Sequence, residues 1–235
     1  MPETHDHIVK QYDDELQRLT GEIVRMGEIA VSQLTGAMDV LQRRDSQAAR
    51  RVIDNDIAID ALEHEVGQDV VRLLALRQPM ARDLREVMAA LRIASDIERI
   101  GDYAANAAKR SIALNESPVI GTVHGLAALA RIAGEMLRDV LVAYQQRDAA
   151  RAAQVRARDA ELDRLYTALF RELLTYMAED PRSISSSIHV MFIAKNLERI
   201  GDHATNIAEN IWFIVHGALP AEEREKGDLT TAPTR

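Results

Sequence analysis

The chain has no cysteine, few aromatic residues and no apolar run long enough to cross a membrane. Because cysteine is absent, disulfides and thiolate metal sites are excluded. Aromatic residues make up only 4% of the 235 residues, whereas alanine, leucine, glutamate and arginine are abundant, and this mixture favours helix over sheet. The N-terminus lacks a basic segment followed by an apolar one, so the sequence predicts a cytoplasmic protein without a secretory signal.

Acidic residues outnumber basic ones and give the chain a formal net charge of −8. This balance argues against a general nucleic-acid-binding surface, which needs clustered positive charge. Apolar residues nevertheless make up 47% of the chain. That share is enough for a packed core, in one large domain or in two domains of about 100 residues.

Apolar residues recur at spacings of three and four along six stretches, three in each half of the chain, which is typical of amphipathic helices. Four of the stretches cover approximately residues 8–44, 81–114, 123–146 and 183–216. The second stretch of each half carries its apolar residues between Val52 and Leu74 and between Leu162 and Met177. On the third of the six stretches, Leu84, Val87, Met88 and Leu91 are expected to face inward. The sequence therefore predicts an all-α fold of two tandem three-helix bundles, residues 8–116 and 120–217, followed by a disordered tail at 218–235.

The connections between these stretches contain capping and helix-breaking residues. Asp45 or Ser46 can cap the second helix of the first half, and Asp148 holds the corresponding place in the second half. Pro79 and Pro181 mark the ends of the two second helices, since the residue before a proline disfavours helical geometry.

The chain repeats one motif almost unchanged. Residues 98–108 and 198–208 match at eight of eleven positions, and both begin Glu-Arg-Ile-Gly-Asp. Glu98 and Asp102 are four residues apart, as are Glu198 and Asp202, so each pair lies on one face of its helix. A repeat at this distance indicates two homologous halves rather than a solenoid of short units.

The second helices carry a matching acidic pair, Asp56 and Asp60 in the first half, and Asp159 and Asp163 in the second. Because the second and third helices of a bundle are antiparallel neighbours, four carboxylates can converge in each half. We call these sets the first and second acidic clusters. The first comprises Asp56, Asp60, Glu98 and Asp102, and the second comprises Asp159, Asp163, Glu198 and Asp202.

Four converging carboxylates repel one another unless they are solvated, protonated, paired with arginine or bound to a cation. Arg99 and Arg199 follow the glutamates directly, but one residue turns a helix by about 100°, so they are expected to point away from the clusters. Ligand sets made only of oxygen suit hard cations such as Mg, Ca, Mn or ferric iron. The alternative interpretation is that each pair is a solvated helix face.

Other positions of the repeated motif have specific expectations. Gly101 and Gly201 lie within helices, where glycine costs about 1 kcal/mol relative to alanine. They indicate close approach, either of a neighbouring helix or of the ligands around a cluster, and a helix C-cap is the weaker alternative. Asn106 and Asn206 share the carboxylate face and could orient the carboxylates or bind water. His203 is expected to be a surface or packing residue more often than a ligand.

Three classes of function are compatible with these features. A protein without enzymatic activity is favoured because the sequence contains no P-loop, no nucleotide fingerprint and no convincing nucleophile–base arrangement. A metal-dependent hydrolase is the enzymatic alternative, and it would need an open coordination position for water. A metal-free helical adaptor with an acidic docking face is the third.

The doubled Glu-Arg-Ile-Gly-Asp-x-Ala-x-Asn, each copy preceded by a helix carrying Asp-x-x-x-Asp, resembles the PhoU family of phosphate-transport accessory proteins. The resemblance covers about residues 8–216. It implies two pseudo-symmetric three-helix bundles whose acidic motifs bind iron, zinc, magnesium or manganese, in some cases as multinuclear clusters. The eight carboxylates named above fall on these motifs. The two copies differ at three places, where the second has His203 for Tyr103, Thr205 for Ala105 and Asn196 for Asp96.

The same resemblance implies a cytoplasmic regulator rather than an enzyme. Such a protein would negatively regulate phosphate-starvation signalling through a PhoR-type sensor histidine kinase. It would also restrain phosphate uptake through the ATPase component of the Pst ABC transporter. It would be a homodimer, would not bind nucleic acid, and would meet the membrane only through its partners.

Overall fold

In a computed structural model, residues 3–117 and 123–221 are described, apart from the side chains of residues 3–11 and 123–124. Within these ranges all regular elements are helical, which confirms the all-α prediction. The helices are α1 (Glu3–Arg43), α2 (Ser46–Asp54), α3 (Asp56–Arg77), α4 (Arg82–Asn115), α5 (Val123–Gln146), α6 (Ala149–Glu179) and α7 (Ile184–His216), and a short 3₁₀ turn, Pro181–Ser183, precedes α7.

The helix boundaries follow the capping residues. Asp45 accepts a hydrogen bond from the backbone amide of Ala48 at 2.9 Å, and Asp148 accepts one from Arg151 at 2.9 Å. Both aspartates have extended backbone geometry and satisfy an amide that has no partner within its helix. The equivalence of these two caps, predicted from the repeat, is confirmed.

The second helix of the first half differs from its prediction because it is divided at Asn55 into α2 and α3. Asn55 closes α2 with its backbone amide and then begins α3 without a side-chain cap. In the second half the corresponding stretch is the single helix α6. In the predicted tail, residues 218–221 lie outside any helix, and the remainder of 218–235 lies outside the described residues.

The two halves pack through a central pair of helices, α4 and α7, which make the most extensive contact in the molecule. These helices are antiparallel, because Asp96 meets His203 and Arg110 lies over the ring of Phe192. Helix α1 contacts both α4 and α5, and α5 also contacts α7. These four helices therefore form a closed ring, with α2 and α3 covering one side and α6 covering the other.

One continuous hydrophobic core runs through both halves. Helices α1 and α5 approach closely where Gly27 of the first half faces Leu141 of the second, and a Cβ atom on Gly27 would lie 2.2 Å from Leu141 Cδ2. Glycine is needed here because any side chain would meet Leu141. The bundles are therefore repeats in sequence that share a single core in space.

Part of the apolar stripe on α4 faces outward, so one expectation was wrong. Val87 is fully buried, whereas Leu84, Met88 and Leu91 are 36–41% exposed. The apolar stripe is therefore wider than the surface of α4 that the neighbouring described helices cover. None of the helices that the structure describes is both long enough and apolar enough to pass through a membrane.

Replacing Asp148 by alanine is expected to lower the free energy of unfolding by about 1 kcal/mol, the usual cost of losing such a cap. Asp148→Ser should keep most of this stability, because serine also accepts from the amide of the first turn. Urea unfolding of the two variants and the parent gives the comparison. An equal loss in both variants would show that the cap hydrogen bond is not what Asp148 contributes.

Candidate metal-binding acidic clusters

The first acidic cluster forms where α3 crosses α4. The negative charges of Asp60 and Asp102 raise the pKa of Asp56, and they also raise the pKa of Glu98. The four carboxylates therefore form one electrostatic group. Asp56, Glu98 and Asp102 are partly buried, while Asp60 is exposed. The four carboxylates are therefore near enough to influence one another's acidity, in a group that is partly open to solvent.

Arg99 does not point away from this group, so that expectation was wrong. Its Nη1 atom lies 3.0 Å from Asp102 Oδ2, and its Nε atom lies 3.3 Å from Glu98 Oε2. The arginine side chain is long enough to bend around the helix toward the carboxylates, although its Cβ atom points in another direction. Because the Arg99 side chain is 54% exposed, this pairing contributes at most about 1 kcal/mol.

Gln33 of α1 contacts the first cluster, and the sequence analysis missed this contact. Its Nε2 atom donates to Asp56 Oδ1 at 3.0 Å and reaches the carbonyl of Val52 at 3.4 Å. The side chain is only 5% exposed, and its Oε1 atom is buried without a hydrogen bond. The available signal was a polar residue between Ala30 and Ala37 on an otherwise apolar helix face.

The second acidic cluster is much more deeply buried than the first. Asp159 is 1% exposed, Asp163 2% and Glu198 5%, whereas Asp202 is partly buried. Buried carboxylates are tolerated only when they are paired, hydrogen-bonded or protonated. The two clusters therefore share a sequence pattern but differ in their surroundings.

Lys195 of α7 supplies a positive charge to the second cluster, and the sequence analysis missed it as well. Its Nζ atom lies 2.8 Å from Glu198 Oε1 and 4.9 Å from the centre of the Tyr166 ring. The other glutamate oxygen, Oε2, is buried and accepts no hydrogen bond from the part of the chain that the structure describes. The signal was the i, i+3 spacing of Lys195 and Glu198, which is common on helices.

Burial is the main cause of the shifted acidities. It raises the pKa of Glu198, against the hydrogen bond from Lys195, and Asp202 and Asp163 raise that pKa further. Burial also raises the pKa of Asp56, against the hydrogen bond from Gln33. A nearby cation would oppose this effect in both clusters, because it favours the ionised carboxylates.

Gly101 and Gly201 allow the paired helices to approach, as predicted. A Cβ atom on Gly101 would lie 2.7 Å from Ile59 Cδ1 and 3.1 Å from Asp56 Oδ1. A Cβ atom on Gly201 would lie 2.2 Å from Leu162 Cδ2. In each half the glycine brings the first aspartate of one helix toward the motif on the next.

The asparagines and the histidine of the motif differ in their surroundings. Asn106 is exposed, while Asn206 donates to Asp96 Oδ1 at 3.3 Å across the α4–α7 contact. His203 Nδ1 lies 2.7 Å from the same oxygen, and its ring lies 5.6 Å from that of Tyr103. Two departures from the internal repeat, Asp96 and His203, thus meet each other between the halves.

The clusters fit a hard cation in donor chemistry but not as a complete cage. All candidate ligands are oxygen atoms, and Gln33 Oε1 is an unsatisfied buried oxygen beside Asp56. Among the described residues, however, no three histidine, aspartate or glutamate side chains are placed to hold a metal ion together. An ion bound here would therefore have to keep part of its water shell, as Mg²⁺ commonly does.

The fold and the doubled motif define an all-α protein of two repeated bundles, each with an acidic cluster on its second and third helices. The family model described as the PhoU domain matches residues 23–111 and 126–211. The chain belongs to the PhoU family.

Relatives match over nearly the whole chain. The "Phosphate-specific transport system accessory protein PhoU homolog" of Xylella fastidiosa (strain 9a5c) is 60% identical over 225 residues, covering 96% of this chain and 95% of that protein. The homologue of the same description from Rhizobium meliloti (strain 1021) is 46% identical, with 97% of each chain covered. The crystal structure of PhoU from Pseudomonas aeruginosa superposes with a TM-score of 0.84 at 36% identity, covering 88% of this chain and 100% of that one.

Proposed function

We propose that this chain is a cytoplasmic regulator of phosphate homeostasis that represses phosphate-starvation signalling and restrains phosphate uptake. Its partners in this proposal are a PhoR-type sensor histidine kinase and the ATPase component of a Pst phosphate transporter. The observation that carries it is the 60% identity, over 96% of the chain, to a protein described as a phosphate-specific transport accessory protein. That description names an accessory protein and gives no support to the hydrolase alternative.

The proposal includes a role for the acidic clusters as cation sites that influence partner binding. Three observations support it: the oxygen-only donor sets, the glycines that let each pair of helices approach, and the unsatisfied buried oxygens of Gln33 and Glu198. A bound cation would neutralise the carboxylates and stiffen the contact between the second and third helices. The Mg, Mn, Fe or Zn ion would supply charge and coordination only, with no reaction step.

Expression in a bacterium that lacks its own PhoU is expected to restore repression of a starvation-induced phosphatase reporter in phosphate-rich medium. Replacing Glu98, Asp102, Glu198 and Asp202 together by alanine should abolish this repression. The matched control replaces four exposed glutamates outside the clusters, Glu28, Glu116, Glu172 and Glu179, and changes the net charge equally. It should repress as the parent does.

The same reporter assay, together with phosphate uptake, can contradict the proposal. If the parent chain accumulates as a folded protein and neither represses the reporter nor lowers phosphate uptake, the regulatory function is wrong. If the cluster variant and the surface control repress equally, the clusters have no part in the function.

A metal-free adaptor is the second candidate, favoured by the absence, within the described ranges, of three acidic or histidine side chains placed around one point. In this case the acidic face would bind a basic partner surface directly. The cluster variant would still lose repression, but partner binding by purified protein would not change when a chelator is added.

A further inference from the structure

The outer face of the α4–α7 pair carries exposed apolar side chains near the N-terminus of each helix. On α4 they are Leu84, Met88 and Leu91, and on α7 they are Ile184, Ile188 and Phe192. We call these sets the first and second apolar patches. Large apolar side chains that are grouped on one exposed face mark an interaction surface.

The two patches are equivalent in the internal repeat. Leu84 corresponds to Ile184, and Met88 corresponds to Ile188. The members of the first pair are each 41% exposed, and those of the second are 36% and 40% exposed. The two halves therefore present matching apolar surfaces to the solvent.

The residues around these positions have diverged between the halves. Arg85 and Glu86 of α4 stand where α7 has Ser185 and Ser186. The exposed positions are nevertheless apolar in both copies, so duplication of one unchanged segment does not account for the match. A use for both patches accounts for it.

A two-fold axis relates the two patches. Tyr103 and His203 occupy the same position of the repeat, and their rings lie 5.6 Å apart. Because α4 and α7 are antiparallel, a residue can meet its own repeat equivalent only near the axis that exchanges the two helices. The axis therefore passes close to these rings, and both patches lie on the same face at matching distances from it.

The patches are separated by about the width of a small domain. Asp96 meets His203 across the antiparallel pair, which places Met88 beside Ile211 of α7. Ile211 and Ile188 are 23 residues apart, which at a rise of 1.5 Å per residue is about 35 Å. Two subunits of a dimer can reach both patches at once, whereas a short peptide cannot.

Arginines lie beside both patches and between them. Arg92 is exposed at the edge of the first patch, and Arg110 lies 4.0 Å from the centre of the Phe192 ring in the second. Arg199 lies between the patches, 5.5 Å from the centre of the Tyr103 ring. None of these three arginines forms an ion pair with a carboxylate in the part of the chain that the structure describes. A partner with carboxylates beside its apolar residues is complementary to this face.

Charge and symmetry disfavour the other occupants of this face. A second copy of the chain, docked about the same axis, would set arginines against arginines. A lipid surface would have to desolvate the polar side chains between the patches, among them Asp96 and His203. A two-subunit partner leaves this middle region hydrated and holds both patches at once, which strengthens binding without any further contact.

We propose that the outer α4–α7 face binds one two-fold-symmetric protein homodimer, whose axis coincides with that of the two halves. Each partner subunit places an apolar surface edged with carboxylates on one patch. One chain therefore binds two partner subunits. This inference rests on the proposed function, and it adds the surface and the symmetry of the partner.

The stoichiometry of the complex tests the proposal directly. The probes are the dimeric cytoplasmic part of the PhoR-type kinase and the dimeric ATPase component of the Pst transporter, both purified from the source organism of the chain. Each is titrated with the full-length chain by calorimetry, and the complex is weighed by native mass spectrometry. We expect one chain for every two partner subunits with at least one probe.

Substitutions in the two patches are expected to act alike. Met88→Glu and Ile188→Glu should each weaken binding at least about tenfold, because either one removes attachment at two points. The matched controls are Val71→Glu on α3 and Leu174→Glu on α6, at positions that are 66% and 47% exposed, and they should bind as the parent does. Equal affinity of the patch variants and the controls would show that this face is not the binding surface. Circular dichroism establishes that each variant is folded, and the parent stoichiometry decides the main point without any variant.

The arginines provide a separate test of the partner's charge. Arg92→Gln and Arg199→Gln should each weaken binding and reduce its dependence on salt, because each removes an attraction to a carboxylate. Arg164→Gln, at an exposed position of α6, is the control and should change neither. An unchanged salt dependence in all three variants would contradict the acidic edge given to the partner.

The other outcomes separate this inference from the proposed function. Two chains per partner dimer would overturn the inference and leave the regulatory function standing. Binding to neither probe would also overturn it, and the reporter assay would then show separately whether the chain regulates. If Met88→Glu instead dissociates a dimer of the chain itself, the face is an interface between copies. If vesicles of phosphatidylethanolamine and phosphatidylglycerol bind the parent but not this variant, the face binds membrane, and in both cases the inference is wrong.

Discussion

Replacing Gly27 by valine is expected to lower the free energy of unfolding by about 2–3 kcal/mol, the usual cost of overpacking a core. Gly27 of α1 is buried, and Leu141 of α5 packs directly against it. Three side-chain atoms of Leu141 would lie 2.2–2.9 Å from a Cβ atom placed on Gly27. Since Leu141 is itself almost fully buried, it cannot move aside without disturbing its neighbours. For a chain of this size the melting temperature should fall by roughly 5–10 °C.

Gly21→Val on the same helix provides the matched control. Gly21 is exposed and a Cβ atom there would have nothing within 4 Å. Valine is a somewhat better helix former than glycine, so this variant should be as stable as the parent or slightly more stable. Thermal and urea unfolding of the two variants measures the difference. Equal stability of both would show that α1 and α5 do not approach as closely as described.

Leu162→Ala is expected to have the larger effect, a loss of about 3–4 kcal/mol, because a fully buried leucine leaves a cavity when it is truncated. Leu162 of α6 is 0% exposed and packs onto Gly201 of α7, with 2.2 Å between Leu162 Cδ2 and a Cβ atom placed on Gly201. Leu174→Ala, at a 47% exposed position of the same helix, should change stability by less than about 1 kcal/mol.

The contact between Leu162 and Gly201 can be tested as a pair. Gly201→Ala alone should destabilise the protein, because the added methyl group meets Leu162. In the Leu162→Ala background the same methyl group fills part of the cavity, so Gly201→Ala should recover stability. The change in sign is measured by a double-mutant cycle from urea unfolding. Additive effects would contradict the close approach of α6 and α7 at this glycine.

The shared core also has a consequence for cooperativity. The buried residues of both halves form one continuous cluster, and α1 of the first half packs on α5 of the second. Gly27→Val and Leu162→Ala are therefore each expected to lower the midpoint of one unfolding transition of the whole chain. Neither should produce two separate transitions. Independent bundles would unfold in two steps, with each substitution affecting only its own half.

Much of the fold followed from local patterns. The long helices were predicted correctly apart from the break at Asn55, as were the aspartate caps at Asp45 and Asp148 and the close approach at Gly101 and Gly201. Capping, proline restriction and helical periodicity act within a few residues, so a sequence pattern can show them. The outward turn of Leu84, Met88 and Leu91 was not predicted. Periodicity shows that a helix has an apolar face but does not show how much of that face its neighbours cover.

The acidic clusters show the same division. The sequence by itself determined that eight carboxylates lie in i, i+4 pairs on the second and third helices of two repeated halves, because that spacing fixes a helix face regardless of context. Only the tertiary structure decided that one cluster is open and the other buried, and that Gln33 bonds Asp56 and Asp96 bonds His203. These contacts join residues of different helices, and their geometry depends on how the helices rotate and pack around the shared core.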